Sequence, residues 1–195
     1  MAVGRPRGFD AEKALDRALR VFWRRGYEGA SLPELTKAMG INRPSMYAAF
    51  GNKEELFKKA LDRYAEGYAA YLAEALSAPT AREVAERLIR GSATLLANPK
   101  NPRGCMIVQA ALTCGKASDS VRRELIARRL RQEEAIQERF RQAAKEGDLP
   151  KGVDPDDLAR YVATVTQGLS VQAAGGATAE ELLGVAELAM RSWPS

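Results

Sequence analysis

Apolar and polar positions along this chain repeat almost throughout at a helical period rather than the two-residue alternation of a strand. From Asp10 the apolar residues Ala11, Leu15, Ala18, Leu19 and Phe22 fall three or four apart. This predicts an amphipathic helix that Arg24-Arg25 close and Gly26 ends, with the basic pair complementing the dipole of the last turn. The stretch SLPELTKAMGINRPSMYAAF, residues 31–50, then reads as two short helices and a tight turn. Ser31 and Glu34 have capping-box spacing, and Leu32, Leu35 and Met39 make one apolar face. Gly40 supplies the positive-φ residue that ends the helix. Asn42 is a good cap for the next helix, and Pro44 sits in its first turn, where a missing amide hydrogen costs nothing. Residues 10–50 are therefore expected to form a three-helix unit with Leu15, Phe22, Leu32, Leu35, Met39, Ile41, Met46 and Phe50 as its core.

The rest of the pattern is also helical. A longer helix is expected from Lys53 to about Leu76, carrying Tyr64, Tyr68 and Tyr71 as an aromatic stripe. Ser77-Ala78-Pro79 breaks the chain, and Thr80 with Glu83 opens a helix to about Ala97. NPKNPRG, residues 98–104, is a loop. CMIVQAALTCG is a short, nearly all-apolar segment read as a buried helix. A long helix from about Ser118 to Glu146 ends at Gly147, with Leu125, Leu130, Ile136 and Phe140 as buried candidates. Asp154-Pro155-Asp156-Asp157 starts a helix to about Ala174, and Thr178 with Glu181 starts the last, to about Ser192. The predicted fold class is all-α, with about nine helices.

The second short helix shows which of its sides meets a partner. With Met46 and Phe50 inward and about 100° per residue, Pro44 and Ala48 point outward and Ser45 and Tyr47 flank them. The long stem of Arg43 lets its guanidinium swing to the same side. Such a surface suits contact rather than solubility. In a helix-turn-helix the contact is the DNA major groove, read by the N-terminal residues of the second helix.

The run GYEGASLPELTKAMGINRPSMYAAFGNKEELF, residues 26–57, resembles the DNA-binding domain of the TetR/AcrR family of transcriptional regulators. The Gly-Tyr-x-Gly-x-Ser opening, the Gly-Ile-Asn turn, Met46-Tyr47 with Phe50, and Asn52-Lys53-Glu54-Glu55-Leu56 carry the resemblance. It implies a DNA-binding domain over residues 1–52 and an effector-binding and dimerisation domain over 53–195. It also implies a homodimer that reads a palindromic operator in double-stranded DNA, commonly as a repressor released by a small-molecule effector. Arg43, Pro44, Ser45 and Ala48 are expected at bases, and Ser31, Tyr47 and Lys53 at phosphates. Family members often carry an aromatic residue and a His after the motif tyrosine, where this chain has Ala48 and Ala49, so contacts from those larger groups do not transfer. A pocket lined from Tyr68, Tyr71, Met106 and Gln109 is expected to hold the effector. Ala163, Gly168, Ala173, Ala186 and Ala189, the small residues of the last two helices, either form the dimer interface or pack within the chain.

Charge sharpens the picture by its distribution. Residues 1–63 hold 13 Lys/Arg and 8 Asp/Glu, a balance of +5, whereas residues 64–195 hold 17 of each. A polyanion is attracted to one end only. Arg5 and Arg7 lie in a Gly/Pro-rich basic arm that either tracks the DNA or is a solubilising tail. Among the 195 residues there is no His, which removes His-dependent triads and His-ligated zinc. There is also no P-loop and no GxGxxG. An enzyme is therefore not expected, nor a cofactor. No apolar run nears 18 residues and no leader pattern opens the chain, so the expected setting is the cytoplasm, without a membrane partner.

The two cysteines frame the apolar segment. Cys105 either is a structural core residue or, at the start of a helix whose dipole lowers a thiol pKa, acts as a sensor of thiol chemistry or, with Met106, of Cu(I). GCMIVQAAL resembles a branch of the same family with a copper-responsive member. Gln109, the one uncharged amide in the run, either satisfies a backbone group or orients a ligand.

Overall fold

The computed structural model describes residues 8–115 and 118–194. Among these residues the chain forms ten helices: α1 (Ala11–Gly29), α2 (Leu32–Met39), α3 (Arg43–Phe50), α4 (Lys53–Glu66), α5 (Tyr71–Leu76), α6 (Ala81–Ala97), α7 (Met106–Thr113), α8 (Asp119–Glu146), α9 (Pro155–Gly175) and α10 (Ala179–Arg191). None of these helices is long and apolar enough to cross a membrane.

Side-chain caps set most of the helix starts. Asp10 accepts from the Lys13 amide at 3.1 Å, and Asp154 accepts from the amides of Asp156 and Asp157. Asn52 with Glu55 and Thr178 with Glu181 complete reciprocal capping boxes. The box expected at Ser31 is only half made. The Ser31 hydroxyl accepts from the Glu34 amide at 3.3 Å, but the Glu34 carboxylate turns to Arg25, 3.4 Å away. At α6 Thr80 caps Glu83, and the Ala81 amide is held by Asp148 from the end of α8 at 2.6 Å. Gly26 breaks the regular turn of α1 with φ 68°, and a single further turn reaches Gly29.

The helix expected from Lys53 to Leu76 is interrupted. α4 stops at Glu66, where the Gly67 amide donates to Arg63 O and the Ala69 amide to Tyr64 O, a wrapped helix end. This break makes ten helices where about nine were expected, and it disperses the tyrosine stripe. Tyr64 and Tyr68 stay against α1. Tyr71, at the start of α5, lays its ring over Gly91 of α6, in the space that a Cβ there would need.

Two hydrophobic cores result. The first joins α1–α4 to Met106 and Ala110 of α7 and to Val121 and Leu125 of α8. Phe22, Leu35, Met39, Met46 and Phe50 are buried in it as expected, whereas Leu15, Leu32 and Ile41 pack at its rim, partly exposed. The second wraps α9, α10 and the latter half of α8 around α6. α8 serves both cores, and Leu130, expected to be buried, falls where it passes from one to the other and is 52% exposed. Ala173, Ala186 and Ala189 lie inside the second core and Ala163 is buried beside it, so these small residues serve packing within the chain; only Gly168 of the set is exposed.

The indole of Trp23 ties the first core together. Tyr64 and Tyr68 meet it edge-on, with centroids 4.8 and 4.9 Å away, and its Nε1–H donates to the Gly104 carbonyl at 2.7 Å in a buried bond. One turn earlier, Arg20 donates to the Tyr68 hydroxyl at 3.0 Å and to Lys100 O at 3.1 Å. Substituting Trp23→Phe keeps an aromatic ring but leaves the Gly104 carbonyl unpaired. Stability should fall by about 1–3 kcal/mol, read as a lower urea midpoint with an unchanged slope; an unmoved midpoint would show that this bond contributes nothing net.

Candidate nucleic-acid interface and interior cavity

α2, the turn and α3 form a compact surface whose geometry follows from three local devices. Gly40 adopts φ 71°, and the Gly40 and Ile41 amides close the end of α2 on Lys37 O and Thr36 O. Asn42 then caps α3 by accepting from the Ser45 amide at 2.8 Å. Met46 and Phe50 anchor α3 inward, with Phe9 packed 6.4 Å from Phe50. The opposite face of α3 presents Arg43, Pro44, Tyr47 and Ala48 to solvent, with Ser45 half-buried beside them. These residues are brought together on one face. Ser31 is exposed at the start of α2, and its hydroxyl hydrogen is free to donate because only its oxygen is used in capping. Arg5 and Arg7 lie outside the described residues.

Lys53 occupies a different setting from the α3 residues. Its ammonium sits 4.5 Å over the Tyr27 ring, and it is half-buried at the start of α4. Burial holds its pKa below the usual lysine value, partly offset by Glu28. The cation that the α4 dipole disfavours is thus steadied by an aromatic face. Sequence reasoning overlooked two further cations near this surface. Lys37 is exposed in the last turn of α2, and its angle from Leu35 would have marked it. The Arg17 guanidinium lies against the Gly40 turn, a contact between distant segments that no local pattern records.

The residues expected to line a pocket part company. An interior cavity of about 40 Å³ lies between the two cores, with Tyr64, Tyr71, Ser92, Cys105, Arg129 and Thr166 among its walls. Tyr71 and Cys105 line it; Tyr68, Met106 and Gln109 do not. The break after α4 draws Tyr68 to Trp23 and Arg20. Met106 is buried in the first core. Gln109 donates to Ser170 O at 3.3 Å, satisfying a backbone group. Cys105 packs at the edge of that same core and lines the cavity, whereas Met106 is buried within the core, and among the described residues no group of three or more His, Cys, Asp or Glu side chains gathers to hold a metal. Both cysteines are free thiols.

Two family models match the chain. "Bacterial regulatory proteins, tetR family" covers residues 14–60, and "Tetracyclin repressor-like, C-terminal domain" covers residues 79–180. The chain belongs to the TetR family. It is a DNA-binding transcriptional regulator of that family, with α2 and α3 as the helix-turn-helix. Among TetR-family relatives it is similar to the HTH-type transcriptional repressor ComR of Escherichia coli K12, 34% identical over 98% of this chain and 92% of that protein. It is also similar to the HTH-type transcriptional regulator YezE of Bacillus subtilis 168, 32% identical over 82% and 84%. Among solved TetR-family structures, a cysteine mutant of the regulator CifR bound to 26-bp double-strand operator DNA is 47% identical. It superposes with a TM-score of 0.92 over 98% of this chain and 100% of that one.

The cap on the recognition helix of this TetR-family chain is directly testable. Asn42→Ala removes the acceptor for the Ser45 amide and should cost about 1 kcal/mol of stability. Urea unfolding checks it, and an unchanged midpoint would mean that solvent replaces the cap without loss.

Proposed function

We propose that the chain is a homodimeric repressor that holds a palindromic operator through α3 and lets it go when a small effector occupies the cavity between the two cores. Residues 1–52 are the DNA-binding unit and residues 53–195 the effector-binding and dimerisation unit, working in the cytoplasm. The observation that carries this reading is the solvent face of α3, where Arg43, Pro44, Tyr47 and Ala48 stand together on a helix fixed from behind by Met46 and Phe50. The basic excess of residues 1–63 supports it. So do CifR, solved with operator DNA, and ComR, named a repressor.

In this reading Arg43, Pro44, Ser45 and Ala48 meet base edges, and Ser31, Tyr47 and Lys53 hold phosphates. The second copy docks on the outer face of α9 and α10. Tyr161, Gly168, Val171 and Gly175 form a stripe at helical spacing along α9, and Val185 and Leu188 are exposed on α10. Val171 is 47% and Leu188 57% exposed, unusual for apolar residues on helices with a well-filled core behind them. An effector shifts the balance between DNA-bound and released forms by binding one of them better. Sensing of Cu(I) by a Cys105–Met106 pair is the weaker reading, because the Met106 side chain belongs to the first core.

Two experiments separate the parts of this reading. Arg43→Ala should relax sequence preference, whereas Lys53→Ala should weaken binding to all duplexes and lower the salt slope by about one unit. Titration against operator and scrambled DNA at several salt concentrations checks both, and specificity unchanged after Arg43→Ala would remove it from the bases. Leu188→Glu should convert the dimer to monomer in light scattering and abolish tight operator binding; a dimer that persists would move the interface elsewhere.

A further inference from the structure

Three observations fall on the lining of the interior cavity. The Tyr64 side chain is 1% exposed, and its hydroxyl lies beside the Cys105 thiol and the Met106 amide without a well-formed hydrogen bond to either. A buried donor left unpaired costs free energy that a ligand can recover. Arg129 of α8 also lines the cavity, and its buried Nε–H has no acceptor. Its neighbours on α8 differ in this respect, since Arg128 pairs with Asp62 and Glu124 and Arg131 with Glu124. Among the described residues no Asp or Glu lines the cavity. Finally, α7 begins at this lining without a side-chain cap and without an acid in its first turn; the Cys105 amide donates to Ser170 Oγ at 2.8 Å, and the amides of the first turn beyond it are open to an acceptor.

The charge and size of the ligand follow from these walls. A single guanidinium suits a monoanion, which Arg can grip through two parallel bonds. Leu72, Leu95, Leu96, Ile107 and Val108 supply apolar walls, which favour a carbon chain over inorganic phosphate. About 40 Å³ admits only a few heavy atoms without rearrangement. Burial, and then Cys105, raises the Tyr64 phenol well above its ordinary pKa, so it stays protonated and donates.

We propose that this cavity binds a short-chain organic carboxylate, its carboxylate held by Arg129 and the Tyr64 hydroxyl at the start of α7. Calling that carboxylate the effector rests on the regulator reading above; binding itself does not. The test is calorimetric titration of the full-length protein, without DNA, with acetate, butyrate, benzoate, butyramide and inorganic phosphate. At least one carboxylate should bind saturably at one per chain, with butyramide and phosphate at least about tenfold weaker. Arg129→Gln should weaken the carboxylate about tenfold or more, and Arg129→Lys should restore part of it. Tyr64→Phe should weaken it several-fold, the usual effect of losing one hydrogen bond to a charged group. The proposal is overturned if no carboxylate binds, if butyramide or phosphate binds as well, or if a variant that retains its helical circular dichroism binds the carboxylate undiminished. Operator binding by the wild-type protein is measured separately, so its failure would count against the regulator reading alone.

Discussion

Trp23 is the constraint on which the two halves of the molecule depend. Its ring is clasped edge-on by Tyr64 and Tyr68, and its N–H reaches the Gly104 carbonyl, one residue before the cap of α7. The same α1 carries Phe22, which meets Phe57 of α4 edge-on at 4.9 Å, and Asp16, which pairs with Arg63 at 2.8 Å. The scaffold behind the recognition helix is thus fastened to α4 along one side and to the start of α7 at its end. Tyr64 belongs to both the clasp and the cavity wall, so anything bound there presses on a residue that already holds α1. The path from the cavity to α1 is one side chain long.

The electrostatics of the DNA-facing end follow the same economy of parts. Asn42, Asn52 and Ser31 are polar caps that use their oxygens on backbone amides, leaving the surface cations unneutralised. Lys53 sits over the Tyr27 ring, which limits its freedom, and the ring and Glu28 offset part of the cost of its burial. Glu34, the acid in the first turn of α2, is turned to Arg25.

Most of the fold was legible in the sequence because caps and periodicity are local. Asp10, Asn42, Asp154 and Thr178 each mark a helix start that the structure keeps, and Gly40 and Gly147 mark ends in left-handed conformation. The outward face of α3 was legible for the same reason, since the angle between Met46 and Ala48 is fixed by the helix. The break after Glu66 was not, because Gly67 costs a helix only about 1 kcal/mol and the pull of Tyr68 toward Trp23 comes from 45 residues away. The cavity was half legible. Tyr71 and Cys105 were found by type, but Tyr64 and Arg129 stand out only once burial and missing partners are known. The alanines of α9 and α10 suited either inward or outward packing, and only the position of α6 decides between them.

Gly91 gives the cavity an adjustable wall that is not itself part of it. Because the Tyr71 ring fills the space where a side chain at 91 would begin, any larger residue there must drive the ring off α6, and the ring is one of the cavity's own walls. In the ligand reading proposed above, selectivity drifts by substitution at a position that does not line the cavity. A lineage of such regulators could change what it answers to while leaving every contacting residue, and every residue on the operator-facing helix, as it was.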